Sequence, residues 1–561
     1  MVLCPMYPIK KLPLRRLLYL ICLASLLVIS AGREATKPAI ASHAALIGPA
    51  DPLDKYTYLP FISAYPGVQA PALKWSLGGC FSWGCQTGWY SSPAVANIDG
   101  DPQAEVIAGM SDLVALDGVT GGLQWRTANS SRVWTGVTLA DLTADGSLEI
   151  IVGRSADQLT VYTLQGSVLW TRNPFGSGEV RTLAVADLEK DGSYEIIVGR
   201  ASSGGTKQLS VYDAAGNVRP GWPARREGEP GYGAGMYNQN AAAADLDGDG
   251  DQEIIGPTDT HYITALDKDG NQLPTDDIFN VFNPEGPKVW SQVGVHVSQE
   301  VDLRGYANCG TEHRPNFADS APVISDLDNN GVPEIIVVGN VYNCDDPYTS
   351  LYQMPFIFNR DRTRWAANGF NWTVIPTPDA LSAPLSEDYN LIETALPNPS
   401  VADLDGDGFK EIVFPSYDGR VHAYWLDKTQ HGNWPYAVTR PGEGFIRFAS
   451  EAVIADLDQN GKAEVIFASW VQKGMSRTGK LHILDYLGNM LYEVDLPPAK
   501  DGDWNGALAA PTLANIDTDP DLELVLLTAQ SGVIAYDLPR TAGATILWNT
   551  GRGSFLRSGT W

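Results

Sequence analysis

An acidic motif recurs eight times along this chain, and the repeat constrains the fold more than any other feature. Each copy has Asp or Asn at position 1, a polar residue at position 3 and Glu at position 9. The copies read NIDGDPQAE, DLTADGSLE, DLEKDGSYE, DLDGDGDQE, DLDNNGVPE, DLDGDGFKE, DLDQNGKAE and NIDTDPDLE, beginning at Asn97, Asp141, Asp187, Asp245, Asp326, Asp403, Asp456 and Asn515. Eight copies in one register indicate a repeat architecture.

The segments around the motif predict strands. A small apolar segment precedes each copy and an apolar segment follows it, as in SPAVA before Asn97 and VIAG after Glu105. A hairpin pattern follows, for example LTVYTLQGSVLW from Leu159 to Trp170. The copies begin 44, 46, 58, 81, 77, 53 and 59 residues apart, and the shortest intervals suit one four-stranded blade. We predict an all-β protein, a β-propeller of eight four-stranded blades, with seven blades and one aberrant unit as the alternative.

The D-x-D-x-D-G loops with strands on both sides resemble the FG-GAP/VCBS repeats of the integrin α-subunit N-terminal propeller and its bacterial relatives. The resemblance covers about Trp75 to Trp561. It implies that each loop binds calcium between two blade strands. This carries over most directly to two loops, at Asp245, Asp247, Asp249 and Glu253 and at Asp403, Asp405, Asp407 and Glu411.

The loop residues themselves also suit a hard cation. Side chains at positions 1, 3 and 5 of a curled loop point inward, position 7 can offer its carbonyl, and Gly at position 6 permits a positive φ. Oxygen ligands on a flexible loop favour Ca²⁺ over Mg²⁺. An EF-hand is excluded, because that loop needs its acid at position 12 and a helix on each side. We predict several Ca²⁺ ions, mainly structural.

The remaining predicted ligands come from the other six loops and from position 7 of several loops. They are Asn97, Asp99, Asp101, Glu105, Asp141, Asp145, Glu149, Asp187, Glu189, Asp191, Glu195, Asp251, Asp326, Asp328, Asn330, Val332, Glu334, Phe409, Asp456, Asp458, Asn460, Lys462, Glu464, Asn515, Asp517, Asp519, Asp521 and Glu523. The first and last loops have Pro102 and Pro520 in place of Gly, and proline cannot make the same bend. We expect these two to be the weakest sites.

The N-terminal segment predicts export. Lys10, Lys11, Arg15 and Arg16 precede an apolar run at 17–29, followed by small residues, so residues 1–32 are predicted to be a secretory signal, with an uncleaved anchor as the alternative. Residues 33–71 are an Ala/Pro-rich linker and residues 72–561 a single propeller domain. No later segment is predicted to span a membrane. Outside the signal, the cysteines are predicted to pair as Cys80–Cys85 and Cys309–Cys344.

Charge and motifs exclude several functions. The formal net charge of −27 argues against a nucleic-acid partner, which needs clustered Lys and Arg. The sequence holds no G-x-S-x-G elbow, no H-E-x-x-H and no P-loop, and its seven histidines are scattered. No catalytic residue is predicted from these patterns.

Two long intervals between motifs predict insertions at about 275–316 and 341–393. Long loops on a rigid scaffold often bind ligands, and aromatic residues with arginines suit sugar stacking or a protein hot spot. The candidate ligand-binding residues are Trp290, Arg304, His313, Arg314, Trp365 and Trp372. The alternative is that these aromatic residues only cover blade edges.

Two functions fit these observations. The first is an exported, non-catalytic calcium-binding module, secreted or at the cell surface, that binds an extracellular protein or glycan in adhesion. The alternative is a calcium-dependent polysaccharide lyase of the rhamnogalacturonan lyase type, with His296, His313 and Arg314 as candidate catalytic groups. The sequence also leaves ring closure open, since both ALKWSLGG (from Ala72) and ATILWNTG (from Ala544) could complete the last blade.

Overall fold

The computed structural model divides the chain into two compact units, Met1–Ser63 and Ala64–Trp561, and the described residues all lie in the second. These are residues 67–77, 90–201, 207–224, 235–258, 260–280, 286–297, 313–343, 352–386, 388, 395–472, 475, 477–498, 506–529 and 531–560, without the side chains of 313, 342 and 343. The predicted signal, most of the predicted linker, Arg304 and the four cysteines outside the signal (Cys80, Cys85, Cys309, Cys344) lie outside this set.

The described strands form the eight antiparallel sheets of an eight-bladed propeller, as predicted. The first strand, β1 (Ala72–Leu77), belongs to the last blade. Blades 1 and 2 are β2 (Ala94–Ala96), β3 (Glu105–Gly109), β4 (Leu113–Leu116) and β5 (Leu123–Thr127), then β6 (Thr138–Ala140), β7 (Glu149–Arg154), β8 (Gln158–Thr163) and β9 (Val168–Arg172). Blades 3 and 4 are β10 (Glu179–Ala186), β11 (Glu195–Ala201) and β12 (Leu209–Tyr212), then β13 (Ala242–Ala244), β14 (Glu253–Pro257) and β15 (Ile263–Leu266). Their outer strands are reduced to isolated bridges such as Tyr212–Val218.

The second half of the ring follows the same plan, but the inner strand is divided into two strands in blades 5 and 7. Blades 5 and 6 are β16 (His313–Asn316), β17 (Val323–Ser325), β18 (Glu334–Asn343) and β19 (Tyr352–Phe358), then β20 (Ser400–Ala402), β21 (Glu411–Pro415), β22 (Arg420–Tyr424) and β23 (Tyr436–Ala437). Blade 7 is β24 (Arg447–Ala449), β25 (Val453–Asp456), β26 (Glu464–Val471), β27 (Lys480–Leu484) and β28 (Met490–Asp495). Blade 8 is β29 (Thr512–Ala514), β30 (Leu522–Leu527), β31 (Val533–Leu538) and β1, and β32 (Thr545–Trp548) is the last strand. Two short 3-10 helices cover Asp277–Asn280 and Trp290–Gln292.

The described parts of the predicted insertions include blade strands. The segment at 341–393 contains β19, the third strand of blade 5, and the segment at 275–316 contains β16 and the two 3-10 helices.

The core lies between neighbouring blades. The second strand of each blade is buried, as in β3 and β7, whereas outer strands such as β5 are largely exposed. Ile107 of blade 1 and Ile150 of blade 2 share one apolar cluster. Glycines at the ends of second strands allow close approach, because a Cβ at Gly153 would lie 2.5 Å from Val180 of the next blade. Each blade thus buries its faces only against its neighbours.

Tryptophans join consecutive blades at the rim. In six of the eight blades, an indole N–H donates to a backbone carbonyl in the hairpin region of the next blade, over 2.7–3.0 Å. The donors and acceptors are Trp75 to Gly118, Trp170 to Ala214, Trp222 to Lys268, Trp290 to Arg360, Trp372 to Leu426 and Trp434 to Tyr486.

The two candidate closing segments have different roles. Strand β1 pairs with β31 and is the outer strand of blade 8, and its Trp75 donates to blade 1. Strand β32 instead pairs with β25, the inner strand of blade 7. The ring is therefore closed by its N-terminal strand, and the C-terminal strand lies inside the ring.

The residues after β32 continue along the inner strands. Backbone N–H groups of five inner strands donate to tail carbonyls over 2.8–3.1 Å: Leu139 to Phe555, Val185 to Leu556, Ala243 to Ser558, Ile324 to Gly559 and Leu513 to Asn549. These inner edges would otherwise present unpaired backbone groups to the channel. The C-terminal tail, residues 549–560, thus fills the ring's centre.

Arg557 is the most highly bonded group of this tail. Its guanidinium is buried and donates to the carbonyls of Ser92, Pro93, Val137 and Gly551 and to the Thr550 hydroxyl, over 2.8–3.2 Å. One side chain thereby supplies hydrogen-bond donors to backbone carbonyls just before the inner strands of blades 1 and 2.

We predict that Arg557→Met lowers the free energy of unfolding by about 3 kcal/mol or more, because several buried carbonyls lose their donor. Arg172→Met is the control: its guanidinium donates to Gly216 and Ala215 at the outer edge, and the expected cost is about 1 kcal/mol. Urea unfolding in saturating calcium measures both. Equal effects of the two substitutions would contradict a central role for the tail.

Candidate metal centres

The eight acidic loops occupy equivalent places in the fold. Each loop leaves the inner strand of its blade and enters the second strand, so that Glu at position 9 is at or next to the start of that strand. All eight loops therefore lie at the C-terminal ends of the inner strands.

A shared hydrogen bond fixes the glutamate in every loop. The backbone N–H of position 2 donates to Oε2 of the position 9 glutamate over 2.7–3.1 Å in all eight copies. Likewise, the position 7 N–H donates to the position 5 side chain in all eight, as Phe409 does to Asp407 over 2.8 Å. The sequence spacing therefore corresponds to one recurring loop conformation.

The predicted glycine at position 6 has the expected positive φ. The six glycines there have φ between 80° and 100°, and their N–H groups donate to Oδ2 of the position 1 aspartate. Position 4 is also left-handed in seven loops, including non-glycine residues such as Asn329 and Gln459. Because only three of those seven are glycine, the sequence pattern did not reveal this second bend.

The structure explains why proline loops begin with asparagine. Pro102 and Pro520 have no N–H to donate to an acid at position 1. In these loops the amide of Asn97 or Asn515 donates instead to the carbonyl of Asp101 or Asp519, respectively. The Asn–Pro pair thus replaces the Asp–Gly pair.

Among the described residues, at least five loops bring three carboxylates together, with ligand oxygens within 4.8 Å of one another. These are Asp99, Asp101 and Glu105; Asp245, Asp247 and Glu253; Asp326, Asp328 and Glu334; Asp403, Asp405 and Glu411; and Asp456, Asp458 and Glu464. Such clusters can bind metal ions.

The buried oxygens of these clusters test whether a cation fits. Asp328 and Glu411 are almost fully buried. Among the described residues, their atoms Asp328 Oδ1 and Glu411 Oε1 have no hydrogen-bond partner. An unpaired buried carboxylate oxygen is costly, and a cation would offset this cost. The donor set therefore fits a hard divalent ion, with the loop carboxylates as its ligands.

The pKa values agree with this interpretation. Burial, reinforced by neighbouring aspartates and opposed by the backbone N–H of Leu404, raises the pKa of Glu411 to about 9. Burial likewise raises the pKa of Glu464 to about 8, and those of Glu253 and Glu334 to about 7. Holding these carboxylates in their charged form therefore carries an electrostatic cost, which a bound cation would reduce.

In three of the described loops a protein cation pairs with a predicted ligand. Arg360 pairs with Asp247 of the blade 4 loop over 2.5 Å. Arg219 pairs with Glu189 and, over 2.7 Å, with Glu195 of the blade 3 loop. Lys74 of β1 pairs with Asp517 and, over 3.3 Å, with Glu523 of the blade 8 loop. Burial opposes the charge of Lys74, but Asp517 and Glu523 raise its pKa overall. These loops already contain an internal counter-charge.

The predicted ligand-binding aromatic residues lie in the core. Trp290, Trp365 and Trp372 are at most 1% exposed, and two of them donate to the neighbouring blade as described above. A buried indole presents no face to a ligand, so the structure gives these three a packing role. Sequence reasoning missed the signal that a tryptophan recurs near the end of several repeat units.

Of the candidate lyase residues, His296 is buried. His296 is 1% exposed, and its ring lies 5.5 Å from that of His261, centroid to centroid. Arg314 is half-buried in β16, and the side chain of His313 lies outside the described set.

The comparisons identify the repeat. The family model of the FG-GAP-like repeat matches residues 403–467, which include the blade 6 loop and the strands through β26. The chain is therefore an eight-bladed β-propeller that contains an FG-GAP-like repeat. No curated protein sequence matches the chain.

Several solved structures are distantly similar. The computationally designed Ika8 protein is 12% identical, with 83% of this chain and 100% of that chain covered and a TM-score of 0.44. The exotype rhamnogalacturonan lyase YesX is 16% identical, with 83% and 75% covered and a TM-score of 0.44. The V. cholerae biofilm matrix protein Bap1 is 13% identical, with 86% and 94% covered and a TM-score of 0.37.

Within the described part of the chain, no helix has the length and apolar character needed to cross a membrane.

We predict that Glu411→Gln reduces the calcium-induced rise in unfolding free energy by roughly 1–3 kcal/mol, since one buried ligand charge is lost. Without calcium, the variant should be at least as stable as the native protein, because the neutral amide removes repulsion. Glu195→Gln is the matched control. It should weaken the calcium-free protein by removing the partner of Arg219, and leave the calcium response unchanged. Thermal unfolding with calcium and with chelator distinguishes these results.

We predict that Lys74→Met allows the blade 8 loop to bind one additional metal ion, because the ammonium no longer lies between Asp517 and Glu523. Lys480→Met is the control, since Lys480 also lies between two carboxylates, Glu493 and Asp495, but outside the loops. Calcium per chain is counted by elemental analysis after equilibrium dialysis. An unchanged count in Lys74→Met would show that the lysine does not replace an ion.

Proposed function

We propose that the protein is an exported calcium-binding propeller that acts as a non-catalytic binding or adhesion module for an extracellular protein or glycan. The protein would act in the extracellular medium or at the cell surface. The observation that carries the proposal is the set of carboxylate clusters with unpaired buried oxygens in Asp328 and Glu411. Hard cations with oxygen ligands in irregular loops are most often Ca²⁺.

Calcium would act on stability rather than on chemistry. The loops join inner strands to second strands, so an ion there would fix the relative position of two strands in one blade. Because the ion binds only the folded loop, it stabilises the native ring by mass action. Extracellular calcium is high enough to keep weak loop sites filled.

Export is supported by the sequence. The basic segment and apolar run at the N-terminus have the order of a secretory signal. The strong negative charge of the chain also suits a calcium-rich surrounding, where bound ions offset repulsion.

The burial of His296 weighs against the lyase alternative, because a base must reach its substrate. His422 and His482 are also buried, at 2% and 1% exposure. The non-catalytic function is therefore the one we favour.

The test uses the full chain, expressed with its own export segment. We expect the protein in the medium or at the cell surface, an unfolding free energy about 2–3 kcal/mol higher at calcium well above Kd, and saturable binding to an array of extracellular matrix proteins and glycans. Calcium-independent stability would contradict the metal assignment. Unsaturated uronide absorbance on incubation with pectic polymers would favour the lyase instead.

A further inference from the structure

Two separate segments meet in blade 8 where blade 1 has the hairpin between β4 and β5. The third strand of blade 8, β31, ends at Leu538, and its fourth strand, β1, begins at Ala72, which pairs with Asp537. Residues 67–71 lead into β1 and are called the entry segment here. Residues 539–544 lead from β31 to β32 and are called the exit segment. Closure of the ring therefore depends on what holds these two segments.

The entry segment is held by blade 7. Tyr492 has the position in β28 that Trp170 has in β9, and its hydroxyl donates to the carbonyl of Val68 over 3.1 Å. The side chains of Val68 and Tyr492 pack on one apolar cluster between blades 7 and 8. Gly67 lies beside the acidic loop of blade 7, because a Cβ at this glycine would be 3.9 Å from Oδ2 of Asp458. The entry segment thus takes the place of a hairpin next to blade 7.

The exit segment is held by the same acidic loop. In blade 5 the position 4 residue, Asn329, donates to the carbonyl of Gly408 in the next acidic loop. Gln459 is the position 4 residue of blade 7, and its amide donates instead to the carbonyl of Ala542 in the exit segment, over 2.7 Å. Position 4 of this loop is therefore bonded to the segment that leaves blade 8.

The other residues of the loop complete these contacts. Asp456, at position 1, pairs with Thr545 of β32. Leu457, at position 2, belongs to the apolar cluster on which Val68 packs, and its N–H donates to Oε2 of Glu464 over 2.8 Å. Four consecutive residues, 456–459, are thus joined to β32, to the cluster beneath Val68, to the entry segment and to the exit segment.

The charges of this loop require a cation. Asp456, Asp458 and Glu464 form one of the three-carboxylate clusters, and Oδ1 of Asp458 is buried without a hydrogen-bond partner among the described residues. The charged groups that act on Glu464 are Asp456, Asp458 and Asp485, and all of them are negative. Repulsion between these carboxylates acts on the same residues that contact the entry and exit segments.

We propose that the blade 7 loop is a calcium-dependent lock on ring closure, an inference that rests on the calcium binding of the proposed function and gives one metal centre a distinct role. A cation held by Asp456, Asp458 and Glu464 would keep residues 456–459 where they retain the entry and exit segments. Without the cation, repulsion displaces the loop, the two segments detach, and β1 separates from β31.

The first experiment is hydrogen exchange of the full native chain, followed by mass spectrometry, in saturating calcium and in chelator. Strand β9 is the internal control, because it is also an outer strand but a continuous hairpin joins it to β8. We expect chelation to speed amide exchange in β1 by at least about ten-fold more than in β9, since local opening exposes β1 first. Equal acceleration of the two strands would overturn the lock.

The second experiment compares two variants in saturating calcium. Glu464→Gln should speed exchange in β1 about ten-fold or more, because the blade 7 loop loses one ligand charge. Glu411→Gln is the matched control, since it changes the same loop position in blade 6, whose loop accepts from Asn329 of blade 5. It should leave exchange in β1 at the native rate. Native exchange of β1 in Glu464→Gln, or equal opening of β1 in both variants, would contradict the proposal.

The native comparison of β1 with β9 decides the proposal even where Glu464→Gln does not fold. A calcium-induced rise in unfolding free energy, together with exchange in β1 that does not depend on calcium, would refute the lock and leave the proposed function intact. A chain whose stability and exchange both ignore calcium would refute the metal assignment as well.

Discussion

The structure depends on contacts between consecutive blades, because each blade can bury its faces only against the next one. An open row of eight blades would leave two apolar faces in water. The chain joins its blades at three distances from the ring axis. At the rim, indole N–H groups donate to neighbouring hairpins. At the outer edge of blade 8, β1 supplies the last strand and Trp75 reaches blade 1. At the axis, the tail satisfies inner edges that no blade can pair.

The acidic loops share one conformation, but the charges around them differ from blade to blade. Backbone donors fix each glutamate and each position 5 side chain. The remaining requirement is positive charge near buried carboxylates. In the blade 3, blade 4 and blade 8 loops, Arg219, Arg360 and Lys74 supply part of this charge. Since Lys74 lies on the closing strand, ring closure and charge neutralisation coincide in blade 8.

The fold was largely predictable because its information is local. The repeat places a strand, a loop and a second strand within about twenty residues, and the Gly–Asp spacing corresponds to hydrogen bonds inside one loop. The way in which the ring closes was not predictable from the sequence. Strands β1 and β31 are separated by almost the whole chain, and segments at both ends of the sequence resembled an outer strand. The same reason applies to Arg219 and Lys74. Nothing in the motif shows that a basic residue from a later or distant strand replaces an ion. Trp290 and Trp372 suggested ligand binding because the sequence gives aromatic character but not the blade interface that buries it.

The two ends of the inner strands consequently differ in how a sequence can reveal them. At the C-terminal ends, ligands are close in sequence and form a visible motif. At the N-terminal ends, seven of the eight blades contribute one to three residues each, so Tyr90, Gln239 and Glu451 share a cavity without sharing any pattern.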